Sequence, residues 1–287
     1  MIRRLIALTA LLSAVACSER PAAAPARVTL RYRPPAGAIH RYSLDQVNNM
    51  TMASGPFAGM GEQRLTLNMR FTQNVVGPVP GGIEVKVTFD STHMEFPGMD
   101  PAALEHELGT VRGLVGTVLF DERARLVRTD IGTAPNVAPE LASQMAVGVK
   151  AMAFALPEEP VGPGDSWTVA TELPMAQLPG ASGSGASRTK LTVKEIRVVG
   201  RDTTVLLSVE TTFPGDPISL SLAGRPATLR LSGSLAGDQL FSLSRGVVVS
   251  GTIKGTMKMN VSSVALGRRG MELTSATETS LRLTDSP

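Results

Sequence analysis

The stretch GPGDSW, residues 162–167, is the first place in the chain where residue types and spacing suggest chemistry. A serine on a tight turn, as in Gly164-Asp165-Ser166-Trp167, can act as a nucleophile when a general base stands beside it. The chain has three histidines, His40, His93 and His106, and all precede Ser166. With no base downstream, the spacing predicts a turn instead. Gly164 bends the chain, Asp165 or Ser166 bonds the backbone, and Trp167 leads a strand into the core.

Methionine is the second candidate chemistry. The chain has 13 methionines against two tyrosines and one tryptophan. Met50-x-Met52 and Met257-x-Met259 each place two thioethers on one strand face, a pattern able to hold Cu(I). Two other readings are open: a flexible filler of the core, or a wall that re-packs around variable acyl chains. Glu105, His106 and Glu107 are adjacent and so point in different directions around a helix. No phosphate loop or dinucleotide fingerprint is present. The expectation is a protein with no catalytic residue, no metal and no cofactor.

The N-terminus addresses the chain. Arg3 and Arg4 precede the apolar run Leu5–Val15, and Ala14-Val15-Ala16-Cys17 is a small-residue cleavage site. Residues 1–16 are therefore expected to be a signal peptide, too short for a spanning helix. Cys17, the one cysteine, resembles the lipidated first residue of bacterial lipoproteins, with Ala14 where such signals usually carry leucine. Ala14-x-Ala16 also suits ordinary cleavage, which would leave a free thiol. Lipidation is the expectation, because a lone exposed thiol is a liability in an oxidising compartment. The resemblance implies a bacterial cell-envelope protein held to a membrane by its acyl chains. Ser18 points to the outer membrane, facing the periplasm. The chain carries 28 basic and 25 acidic residues; loss of Arg3 and Arg4 leaves a net charge of +1. That near-balance argues against a nucleic-acid partner.

The elements that must position these residues are mostly strands. Residues 17–26 form the lipidated end and a Pro/Ala tether, and 27–287 read as a single mostly-β domain. Leu65, Leu67, Met69 and Phe71 alternate with polar residues, as do Ile83, Val85, Val87 and Phe89, the mark of antiparallel sheet with one wet face. Two segments look helical. One follows Asp100 and Pro101; the other, 139–155, carries the stripe Leu141, Met145, Val149 and Met152. An echo links residues 36–45 to 163–172 and 65–77 to 191–200, read either as internal duplication or as the general likeness of β-hairpins.

The mature body resembles a family of secreted bacterial lipoproteins with no assigned activity. It shares their turn LPEEPVGPGDSW (156–167) and their opening Arg31-Tyr32-Arg33-Pro34-Pro35-Ala36-Gly37. More distantly, strands interrupted by a helix pair look like the half-barrel of periplasmic lipoprotein carriers and related lipid-binding lipoproteins. Gly164-Asp165-Ser166 also resembles the signature of a secreted hydrolase family, whose C-terminal Asp-x-x-His this chain lacks. The expected fold is a curved, half-barrel-like antiparallel sheet of about ten strands with two helices on its concave face. The expected function is non-catalytic binding of a lipid or other hydrophobic ligand between sheet and helices. Met69, Phe71, Met145, Val149, Met152, Trp167, Met257 and Met259 are the expected cavity residues. The alternative is an envelope scaffold with a filled core that binds proteins; Cu(I) binding and hydrolysis rank below both.

Overall fold

A computed structural model describes residues 24–54, 59, 61–131, 155–173, 185–222, 225–263 and 270–284. They form one antiparallel sheet of eleven strands: β1 (Ile39–Ser54), β2 (Glu62–Val79), β3 (Gly82–Glu95), β4 (Val115–Phe120), β5 (Leu126–Ile131), β6 (Ser166–Leu173), β7 (Gly185–Val199), β8 (Asp202–Leu222), β9 (Arg225–Ser242), β10 (Val247–Ser263) and β11 (Met271–Leu283). The order across the sheet is β5-β4-β3-β2-β1-β11-β10-β9-β8-β7-β6. Two meanders therefore run outward from a central seam where β1 pairs with β11, Tyr42 opposite Leu283 and Met50 opposite Ser275. The sheet is not closed, because β5 and β6 are its two edges.

Among the described residues one helix is present, α1 (Pro101–Gly109). Asp100 caps it, accepting from the Ala102 amide at 3.1 Å, and Pro101 supplies the first helical turn without needing a donor. It buries Leu104 and Leu108 and packs beside β3, where the short β4 does not reach. Of the two expected helices, the one after Asp100 and Pro101 is present. The expected helix 139–155, with Met145, Val149 and Met152, lies outside the described residues but for Ala155, which is not helical. The strand count of about ten becomes eleven.

Why strands form is visible in their burial. In β3 Ile83, Val85, Val87 and Phe89 are buried while their neighbours are not, the period of two that a half-wet sheet imposes. One contiguous core gathers the inward residues of both halves, including Tyr42, Phe71, Val85, Val118, Leu191, Leu207 and Phe241. Two non-strand segments fill the space between the halves, contributing Val28, Leu30 and Tyr32 from one and Leu156 and Val161 from the other. Leu30 and Leu156 are fully buried. These segments also lace the two edges. Leu156 N donates to Arg123 O in the β4–β5 turn, and Gly164 N donates to Val193 O on β7, each at 2.8 Å.

β9 and β10 approach each other closely. A Cβ on Gly237 would sit 1.8 Å from Thr252 O, and one on Gly255 would sit 2.1 Å from Ser234 O. Only glycine fits there, and such positions let a sheet bend sharply.

Candidate functional site

The register assigns every paired strand residue to a face, and the two faces differ in kind. The outward face carries the charges: Arg41, Asp45, Arg64 and Arg70 on β1 and β2, Lys190 and Glu210 on β7 and β8, Lys254 and Lys258 on β10, Glu272, Glu278 and Arg282 on β11. Among the paired residues of the described strands the inward face carries none, apart from Arg225 at the tip of the β8–β9 hairpin. Segregation of this extent leaves an uncharged surface eleven strands wide.

Among the described residues the buried core takes up only part of that surface. At one end of the strands the main core covers it. Near the opposite end a second, small cluster joins Ile218, Leu229 and Val261, with Leu220, Leu231, Met259 and Met271 packed on it. Between the two lie Met50, Met52, Leu65, Phe213, Leu235, Met257 and Leu273, half-buried and belonging to neither. They are the apolar floor of the candidate site.

A neutral polar line crosses this floor. Asn48 on β1 pairs across with Leu65 and Thr277, Thr277 with Gly255, Gly255 with Leu235, Leu235 with Thr211, and Thr211 with Thr189. Thr277 Oγ1 donates to Asn48 Oδ1 at 2.6 Å, and the hydroxyls of Thr189 and Thr211 lie 2.9 Å apart. The next line toward the core runs Leu67, Gln46, Thr279, Ile253, Gly237, Val209, Leu191 and Trp167. One line nearer still, the Oε1 of Gln239 is buried with no partner among the described residues.

The residues expected from sequence fall on this face in different ways. Phe71 is buried and stacks on Tyr42, ring centroids 5.2 Å apart. Met69 and Trp167 pack against the main core, and the Trp167 indole N–H donates to Ala155 O at 2.8 Å. Met257 lies on the floor, and Met259, on the same face of β10, packs on the second cluster. The register sets Met50 level with Met257 across Ser275, and Met52 level with Met259 across Leu273. The two thioether pairs are thus separated by β11, about 10 Å at ordinary strand spacing. Met145, Val149, Met152 and Cys17 lie outside the described residues. Gln46, Asn48, Thr277 and Thr279 were not anticipated; the alternation Tyr42, Leu44, Gln46, Asn48, Met50 carried the signal.

The GPGDSW stretch forms the expected turn. Gly164 has φ +90, a left-handed conformation that glycine adopts without cost. Asp165 Oδ2 accepts from Gly162 N at 2.9 Å and pairs with Arg27 at 2.8 Å. Ser166 is exposed and opposite Thr192 on β7, and five strands separate β6 from β1, which bears His40. Among the described residues no three His, Cys, Asp or Glu side chains gather to hold a metal. The two sequence motifs join here. Arg31 donates to the carbonyls of Pro157 and Glu158 at 2.9 and 2.6 Å, and Arg123 pairs with Glu158. Beside them burial pushes the Tyr32 phenol up, and its hydroxyl has no partner among the described residues.

No protein-family model matches the chain, and no curated protein matches it. The resemblance to secreted bacterial lipoproteins therefore rests on its two motifs alone. Among solved structures, a chain described under lipid–protein interactions in lipovitellin is similar at a TM-score of 0.54, with 12% identity over 88% of this chain. This chain spans only 25% of that one, and at such identity the likeness is one of fold. DynF from the dynemicin biosynthesis pathway of Micromonospora chersina aligns over 94% of this chain and 92% of its own, at 10% identity. Its TM-score of 0.23 is too low to carry an argument.

Proposed function

We propose that this protein binds a lipid or similar hydrophobic ligand on the inward face of its sheet, as a non-catalytic half-barrel. The observation that carries the reading is the absence of charge among the paired residues of that face, Arg225 at a hairpin tip excepted, combined with an apolar floor that belongs to neither core cluster. A half-buried apolar surface of this kind gains stability when a ligand completes its burial. Burial of acyl chains would supply affinity at about 0.8 kcal/mol per CH₂. The flexible thioethers of Met50, Met52, Met257 and Met259 suit chains of varied length and unsaturation. The fold likeness to lipovitellin is consistent with the reading.

The test is lipid extraction from natively purified protein followed by mass spectrometry. Stoichiometric lipid is expected. Protein that is lipid-free and takes up no added hydrophobic probe would end the proposal. The proposal extends to a bacterial envelope site, with Cys17 acylated as the anchor. Labelled palmitate should enter the wild-type chain and fail to enter Cys17→Ser. As the reading is non-catalytic, a fluorophosphonate probe should leave Ser166 unlabelled.

A further inference from the structure

We infer that the ligand is an uncharged lipid bearing a hydroxyl or ester group, with that group seated on the Asn48–Thr277 line and its tail lying over Met50, Met257 and Leu273. This deepens the proposed lipid site and rests on it.

The argument is one of charge and hydrogen-bond supply. Burying an ionised carboxylate or phosphate is costly unless a cation and hydrogen bonds compensate it. The inward face offers no lysine or arginine along the described strands except Arg225 at a hairpin tip. The basic residues nearest the floor, Lys254, Lys258 and Arg282, stand on the other side of the sheet. Lys254 is moreover paired with Glu278 at 2.7 Å. A phospholipid head, a free fatty acid or a quaternary amine would each meet a wall with no counter-charge.

A pure hydrocarbon is also a poor match. An apolar ligand alone would leave the amide and hydroxyls of Asn48, Thr277, Thr211 and Thr189 covered with part of their bonding capacity unused. Thr277 already donates to Asn48 Oδ1, so the Asn48 amide retains N–H donors for an ester carbonyl or a hydroxyl. Large apolar side chains stand on both sides of the polar line: Leu67, Ile253 and Val209 toward the core, in the line that also holds Gln46 and Thr279, and Met50, Met257 and Phe213 away from it, in the line that also holds Ser275. A molecule greasy at both ends of a small neutral polar group fits that sequence of surfaces.

The test uses four probes with one pyrene-labelled tail: a long-chain alcohol, its methyl ester, its carboxylate and the headless alkane, each titrated at pH 8. Energy transfer from Trp167, the sole tryptophan, reports binding. The alcohol and ester should bind about tenfold or more tighter than the carboxylate. A carboxylate that binds as well as the alcohol overturns this inference and leaves the lipid site standing. Failure of all four probes overturns both. The near-isosteric Thr277→Val should weaken alcohol binding about threefold or more, with the alkane unaffected. Unchanged alcohol affinity would remove the polar group from the Asn48–Thr277 line.

Discussion

Arg31 and Glu158 are joined across 127 residues of chain, the guanidinium donating to the Glu158 carbonyl oxygen at 2.6 Å. The same side chain reaches Pro157 O at 2.9 Å and the Leu30 carbonyl at 2.7 Å. Neither partner is a carboxylate. The bond ties two backbones, which is why an arginine with several donors in a fixed plane occupies the position. Each of the two motifs supplies half of one clasp.

Replacement of Arg31 by alanine should therefore destabilise the protein by about 2 kcal/mol, the scale of charge-assisted hydrogen bonds lost to backbone acceptors. Arg31→Lys should recover only part of that. Chemical denaturation followed by circular dichroism measures it, and a midpoint identical to wild type for Arg31→Ala would contradict the clasp.

Trp167 combines packing with a hydrogen bond to Ala155 O at 2.8 Å. Trp167→Phe keeps most of the ring and removes the donor, at an expected cost of about 1–2 kcal/mol. Trp167→Ala should cost about 3 kcal/mol or more. The fluorescence of the wild-type tryptophan should shift to longer wavelength on unfolding, in step with the loss of sheet.

Asp202 governs a pH dependence. Burial alone would raise its carboxyl. Hydrogen bonds from the Ser242 hydroxyl at 2.6 Å and the Ser244 amide at 3.1 Å outweigh this and hold it below the usual aspartate value of 3.8. A pKa depressed in the folded state contributes stability that is fully present above that value and lost as pH falls through the folded pKa. Asp202→Asn should therefore be less stable than wild type near pH 7, with the gap closing below about pH 4. A gap that stays constant down to pH 2 would show that the carboxylate charge is not involved.

Gly237 is the tightest point of the β9–β10 pair. Gly237→Ala would force a methyl group into Thr252 O and Ile253 Cα, and a loss of about 3 kcal/mol is expected. Gly109→Ala on α1, where a Cβ meets nothing within 4 Å, should be neutral or slightly stabilising. Thermal denaturation of the pair provides the contrast.

Individual strands were legible because water enforces alternation. Leu65 to Phe71 and Ile83 to Phe89 could each be assigned a face from sequence alone, and they hold those faces in the sheet. Neighbour relations were not legible, since nothing local in Tyr42 announces Leu283 as its partner. β8 was hidden differently. Pro214-Gly215-Asp216-Pro217 reads as a chain-reversing turn, yet β8 continues through it to Leu222 by a register shift between the two prolines, where ladder donors are not required. Met257 on the floor was expected, but the polar line across it was missed because Asn48 and Thr277 look like ordinary polar strand residues. Alternation along β1 puts Asn48 on the face of Met50, and only the register of β11 against β1 brings Thr277 beside it.

The pairing of β1 with β11 sets a timetable for the newborn chain. As the polypeptide emerges from the ribosome, β1 can zip onto β2 at once, but its other flank waits more than 200 residues for a partner. Closure of so long a loop is slow, and until then β1 and β10 both show bare backbone to any neighbouring chain. A polypeptide stopped short of Met271 would keep those two flanks permanently, and we expect such fragments to be found in aggregates rather than in solution.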